Sequence, residues 1–324
     1  MCTAVTFRNG DHYFGRTLDY ECSFGESVVI TPRNYPFSFR KMGEMPRHLA
    51  MIGMAHMADG IPLYYEATNE AGLSIAALNF PDFARYHPEG EGIDNIAPFE
   101  IIPWVLGQCK TLQEAKVLFG RMRVLDLPYS DTLPLTPLHW IASDASGTIA
   151  VESGEGGLRI FENPVGVLTN SPPFDSQMRN LANYMTLSRK PPKNHLAPEI
   201  SLPAHSRGMG ALGLPGDLSS PGRFVRCAYT KLNARSDGSE MGNVSQFFHI
   251  LGSVAHARGT VELGEGEFEI TIYTSCCNTD RGIYYYTTYE NQQISAVQLH
   301  NVDLEGDRPI AYALVKEQQI RHQN

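Results

Sequence analysis

Met1-Cys2-Thr3-Ala4 begins the chain, and Gly15-Arg16-Thr17-Leu18-Asp19 follows early enough for a basic and an acidic side chain to fold back onto the amino terminus. Cysteine is small enough for aminopeptidase to trim a preceding initiator methionine, which leaves Cys2 with both a thiol and a free α-amine. Free thiols titrate near about 8.5 and α-amines near about 7.7–8.0, so one residue supplies nucleophile and base at neutral pH. A guanidinium such as Arg16 beside the sulfur favours the thiolate, and a carboxylate such as Asp19 accepts a hydrogen bond from the amine and orients it. Strand side chains alternate in direction, so for Arg16 and Asp19 to serve one site a bend is expected near Thr17-Leu18.

The 324 residues are 42% hydrophobic and 19% charged, an ordinary globular composition with enough chain for a sizeable core. A net charge of −9 without a concentrated Lys/Arg stripe argues against a nucleic-acid binder and for a small-molecule partner. No signal-peptide or membrane-span pattern opens the chain. Six cysteines (Cys2, Cys22, Cys109, Cys227, Cys276 and Cys277) lack C-x-x-C spacing, which suits reduced thiols in a cytoplasmic protein.

Short apolar or alternating runs at 3–7, 12–14, 28–31, 51–54, 63–66 and 73–78 read as strands. Helical patterns follow at 98–109, where Pro103 is a potential kink, and at 112–119. Strands return at 139–142, 148–152, 158–161 and 166–169, separated by Gly- and Asn-Pro-rich turns. Helices come back at 175–185, 223–232 and 243–254, the last with Asn243 as the expected cap. Strands at 268–275, 282–288 and 295–299 close the pattern. Blocks of strands and helices favour antiparallel sheets covered by helices over a doubly wound fold. One catalytic domain, 1–324, is expected, with residues 188–222 as an irregular but ordered excursion.

Gly208-Met209-Gly210-Ala211-Leu212-Gly213 spells the dinucleotide fingerprint, but it neither follows a strand nor opens a helix. No His-x-x-x-His or His/Cys ligand spacing is present, so neither a metal nor another cofactor is expected. His139 and the vicinal Cys276-Cys277 read as packed strand residues.

Five segments combine in order: Met1-Cys2-Thr3; Gly15 to Asp19; Asn69-Glu70-Ala71-Gly72-Leu73 through Leu78-Asn79-Phe80-Pro81; Leu168-Thr169-Asn170-Ser171-Pro172; and Gly213 to Asp217 running into Ser219 to Arg226. Together they resemble the choloylglycine hydrolase family of N-terminal nucleophile hydrolases, which holds bile salt hydrolases and penicillin V acylases. The resemblance covers nearly the whole chain. It implies an α+β fold, a four-layer αββα sandwich with two antiparallel sheets, and commonly a homotetramer in which the excursion reaches a neighbour.

The resemblance also implies site roles: Cys2 as nucleophile, Arg16 near the thiol, Asp19 orienting the amine, Asn79 and Asn170 at the oxyanion, and Arg223 as a second arginine, with Arg226 a weaker candidate. Asparagine at position 79, where the acylases tend to carry tyrosine, points to hydrolysis of the amide of glycine- and taurine-conjugated bile acids. The alternatives are a penicillin V acylase or other N-acyl amide hydrolase, and a silent ligand-binding protein. An apolar slot for the acyl group is expected from Tyr20, Phe24, Met57, Ile61, Phe80, Leu133 and Leu135.

Overall fold

The structure, a computed structural model, describes residues 1–324. Cys2–Asn9 (β1) and Asp11–Tyr20 (β2) form a hairpin around Gly10, whose φ of 77° suits glycine. The chain continues through β3 (Ser27–Thr31), β4 (Met51–Ala58), β5 (Ile61–Asn69), β6 (Ser74–Asn79), α1 (Ile101–Gln108) and α2 (Leu112–Phe119). Next come β7 (Leu138–Asp144), β8 (Gly147–Gly154), β9 (Gly157–Glu162), β10 (Val167–Leu168), α3 (Phe174–Leu181), α4 (Ser220–Asn233) and α5 (Glu240–Gly252). The last strands are β11 (Ile270–Asn278), β12 (Ile283–Thr288), β13 (Ser295–Gln298) and β14 (Ile310–Ala313).

Two antiparallel sheets result: six strands in the order β10-β1-β2-β11-β12-β13, and eight in the order β9-β8-β7-β6-β5-β4-β3-β14. Alternation decides how they stack. In the second sheet Val28, Ile30, Ile52, Met54, Ala76 and Leu78 share a core with the first sheet, whereas Val29, Met51, Ile75 and Ala77 face the opposite way, onto α1 and α2. Phe224, Cys227, Phe247 and Leu251 of α4 and α5 cover the outer side of the first sheet. The expected α+β, four-layer αββα sandwich is therefore what the chain forms. Gly15 lets β2 and β11 approach closely, since a Cβ there would sit 2.1 Å from the Ser275 carbonyl oxygen. No helix is long and apolar enough to cross a membrane.

The predicted elements recur with shifted ends, and some of the differences have local causes. Pro103 sits in the first turn of α1, where its missing N–H costs nothing, so no kink forms. Ser239, not Asn243, caps α5 by accepting from the Gly242 N–H at 3.0 Å; Asn243 lies one turn inside and donates to the Asn9 carbonyl at 2.8 Å. The strand β14, which pairs with β3, was not anticipated. Residues 188–222 form a long connection with only a short 3-10 turn at Met209–Ala211 before α4 begins. There is no strand-loop-helix around Gly208 to Gly213, so the fingerprint lacks its phosphate-binding context.

The expected bend in β2 is absent. β2 runs in register with β1 from Asp11 to Leu18 and remains strand to Tyr20; the irregularity falls on β11, between Thr271 and Tyr273. Arg16 and Asp19 accordingly project to opposite faces.

One stability prediction arises from the contact between sheets. His12 on β2 bonds Ser143 Oγ on β7 at 3.0 Å, and burial pushes its pKa down to about 4. The unfolded histidine takes up a proton below about 6.5 while the native one stays neutral. Stability is therefore full above that pH and is lost as pH falls from about 6.5 toward 4, by up to about 3 kcal/mol. Urea midpoints at pH 7 and pH 4.5 should differ accordingly, and His12→Gln should reduce the difference; an unchanged difference would refute the assignment.

Candidate active site

Cys2 pairs with Leu18 and Ala4 with Arg16, so the register turns the Cys2 and Arg16 side chains to the same face, between the sheets. The thiol is 4% exposed and Arg16 1%. Arg16 Nη2 donates to Cys2 Sγ; Nη1 donates to the carbonyls of Ala77 at 2.5 Å and Tyr65 at 3.4 Å, and Nε to Thr17 O at 3.2 Å. Burial works against this guanidinium, but the neighbouring Cys2, Glu66 and Asp19 outweigh it and hold Arg16 above its ordinary value. Arg16 thus places an N–H donor and a positive charge at the sulfur in a site closed to water.

The Cys2 nitrogen is held on its other side. Its N–H donates to Asn170 Oδ1 at 2.8 Å; with Met1 attached this nitrogen is an amide, and it marks where the α-amine lies once Met1 is removed. Arg223 Nη2 donates to the same Oδ1 at 2.8 Å, and Nη1 reaches the Cys2 carbonyl at 2.6 Å and Thr3 Oγ1 at 2.5 Å. The two donors fix which end of the Asn170 carboxamide is oxygen. Burial pushes the Arg223 guanidinium down, with Asp19 and Cys2 opposing. Ser219 caps α4 through the Gly222 N–H, so Arg223 sits in the first turn, aimed at β1. Arg226, one turn on, instead donates to the Gly216 carbonyl at 2.8 Å.

Two expectations need correction. The Asp19 carboxylate accepts from Thr17 Oγ1 at 2.9 Å and Thr271 Oγ1 at 2.6 Å, on the face away from the thiol. It makes no hydrogen bond to the Cys2 nitrogen; Asn170 does. Asn170 Nδ2 gives one N–H to the Asn79 backbone carbonyl at 2.7 Å and has its second N–H without a partner in the protein. Asn170 is thus a brace from the first sheet to the end of β6. Asn79 is different: its side chain is half-buried and uncommitted, with Oδ1 sealed from solvent and unpartnered. The second correction is Phe80, which is 2% exposed and stacks on His139 with centroids 4.3 Å apart. That ring belongs to the packing under the site.

The other slot residues lie near one end of the second sheet. The register sets the β4-β5 turn, which carries Met57 and Ile61, beside the end of β6 at Asn79, and Asn79 pairs with Leu138 just after Leu133 and Leu135. Phe24 and Ile61 are each 42% exposed, Tyr20 stacks near Phe24 at 5.2 Å, and Met57, Leu133 and Leu135 are half-buried. Two cavities lie elsewhere. One of about 490 Å³ is lined by Arg8, His12, Asp144 and Lys231 at the far end of β1, and one of about 160 Å³ lies beside Glu26 and Ile272.

Sequence reasoning missed Glu66, Thr271, Ser220, His256 and Glu269. Only Ser220, which precedes Pro221 in a quoted segment, carried a signal; its Oγ accepts from the Asn170 N–H at 2.9 Å. Asp19, His256 and Glu269 bring potential ligand atoms within 4.8 Å of one another. Their positive charge is the Met1 ammonium, 2.7 Å from Glu269 Oε1. His256 is pushed down to about 4 by burial, which leaves it neutral beside that pair.

Residues 2–312 match the sequence model of a family described as linear amide C-N hydrolases, choloylglycine hydrolase family. The chain is 50% identical, over 98% of both lengths, to a bile salt hydrolase/transferase of Lactiplantibacillus plantarum. It is 37% identical, over all of both lengths, to one of Clostridium perfringens. The crystal structure of the C2A mutant of conjugated bile acid hydrolase from Clostridium perfringens has a TM-score of 0.92 and 37% identity, with both chains fully covered. A penicillin V acylase from Agrobacterium tumefaciens shares the fold, at a TM-score of 0.73 and 19% identity over 94% of this chain and 88% of that one.

Proposed function

The chain belongs to the choloylglycine hydrolase family, and on that premise we propose that it hydrolyses the amide bond of glycine- and taurine-conjugated bile acids through a Cys2 thioester. The observation that carries the reading is the buried Arg16 donating to the Cys2 sulfur while Asn170 holds the Cys2 nitrogen. Removal of Met1 frees the α-amine. The thiolate attacks the carbonyl carbon, forming a C–S bond and an oxyanion, which the Asn79 amide stabilises. The C–N bond then breaks as the Cys2 amine delivers a proton to the departing nitrogen. Water attacks the thioester and gives a proton to the Cys2 amine, the C–S bond breaks, and the free bile acid and the thiolate are released.

In this reading Arg223 and Asn170 align Cys2 without touching substrate. Asp19 supplies negative charge near the new terminus, where its backbone N–H and carbonyl are freed from the bonds they make to Met1. Tyr20, Phe24, Met57, Ile61, Leu133 and Leu135 receive the steroid body. The half-exposed to exposed Leu196, Ile200, Leu202 and Leu212 of the excursion support a homotetramer, and reduced free thiols suit the cytoplasm.

The test is ninhydrin-detected release of glycine and taurine from their cholate conjugates, beside hydrolysis of penicillin V. Cleavage of the conjugates well above that of penicillin V is expected. Turnover of penicillin V alone would move the chain to the acylases, and no turnover of either would leave a silent binding protein.

A further inference from the structure

Glu66 lies on β5, 1% exposed, and faces the first sheet across the interior of the sandwich. Its Oε1 accepts from Ser275 Oγ at 2.9 Å and from the Tyr284 hydroxyl, and its Oε2 from the Tyr273 hydroxyl at 2.7 Å. Arg16 Nε lies 3.8 Å from Oε2. The buried guanidinium therefore sits between two groups that can carry negative charge, the Cys2 sulfur at its tip and the Glu66 carboxylate at its elbow. No other carboxylate forms an ion pair with Arg16, because Asp19 is turned to the opposite face.

We infer that Glu66 is a positioning residue: it is the standing counter-ion that holds the buried Arg16 cation in place while the thiol is acylated. This rests on the thioester reading above. Acylation consumes the thiolate, since the new C–S bond leaves a neutral sulfur and a proton departs with the amine. Arg16 then loses the anion at its tip, and a buried cation without a partner is costly. Glu66 supplies the compensating charge through that interval. When water attacks and the C–S bond breaks, the electron pair returns to sulfur, where Arg16 must already be waiting. Burial raises the Glu66 carboxyl above its ordinary value, and Arg16 with the three hydroxyl donors works against that rise by favouring the carboxylate.

The consequence is asymmetric. In Glu66→Gln the resting thiolate still pairs with Arg16, so acylation persists, but the acyl-enzyme holds Arg16 without a counter-ion and deacylation slows. A p-nitrophenyl ester of cholic acid separates the steps, because rapid acylation gives a burst and deacylation the following linear rate. Glu66→Gln should keep the burst rate within about twofold and slow the linear phase about tenfold, the factor equivalent to one pK unit of charge stabilisation. Tyr273→Phe, which keeps the carboxylate and removes one donor, should slow the linear phase less, again with the burst preserved. It carries the test if Glu66→Gln does not fold.

A merely structural role would slow both phases together. Equal slowing, or no change in the linear phase of the folded variant, overturns the inference. Absence of a burst from the wild type would overturn the thioester reading and this inference with it, whereas a wild-type burst with no selective effect overturns the inference alone.

Discussion

Cys2→Ser is expected to lose more than about 10⁴-fold in kcat on conjugated bile acids, the scale seen when a nucleophile acting within a concerted set is removed. Serine keeps the size, still permits removal of Met1, and can accept a hydrogen bond from Arg16. It lacks acidity. Arg16 donates to the sulfur in a site closed to water, and free thiols ionise at about 8.5, a range that an aliphatic hydroxyl does not approach. The α-amine is the remaining base, and in the variant it must both take the hydroxyl proton and later protonate the leaving amine. Because the side chain at position 2 is small, the urea midpoint should stay close to wild type. Ninhydrin-detected release of glycine, with intact mass confirming loss of Met1 in both proteins, is the measurement. A variant within tenfold of wild type would remove Cys2 from the mechanism.

Asn79→Ala should lower kcat about 10²- to 10³-fold with little change in KM, the cost of deleting one preorganised donor to an oxyanion. The expectation follows from its geometry. Asn79 contributes a backbone carbonyl to Asn170, which alanine retains, and a side chain that makes no hydrogen bond in the protein. Its loss orphans nothing, so stability should hold and the effect should fall on the transition state. Asn170→Ala makes the contrasting variant, since it strips an acceptor from both the Cys2 nitrogen and buried Arg223 and should lower stability as well as rate. Initial rates over a range of glycocholate concentrations, with urea midpoints for both variants, separate the cases. An Asn79→Ala enzyme that keeps its kcat would assign the oxyanion donor to another group.

How much of the site was legible depended on the kind of information each residue carries. Cys2, Arg16 and Arg223 could be named because acidity, charge and motif position belong to the residue itself, and the structure brings both arginines onto Cys2, one at its sulfur and one at its carbonyl. Asp19 and Asn170 both lie beside the terminus, but the contact with the Cys2 nitrogen expected of Asp19 is made by Asn170. The reason is a register: an unbroken β2 turns Asp19 away from the thiol face, and the irregularity that was expected there is absorbed by β11. Phe80 was read as slot because an aromatic beside Asn79 has the right chemistry, but its stacking on His139 is a packing outcome. Glu66 was invisible, since its partners are about 50 residues before it and more than 200 after it in the chain.

By itself, then, the amino-acid sequence determined the class of chemistry, the family, and the blocks of strand and helix that build two sheets, because acidity, side-chain alternation and turn residues act locally. Tertiary structure alone decided which carboxylate lies under Arg16, which amide holds the Cys2 nitrogen, and which side chain is left free to meet an oxyanion. Those depend on how two sheets are registered and stacked, and a shift of a single residue in a strand would exchange every face.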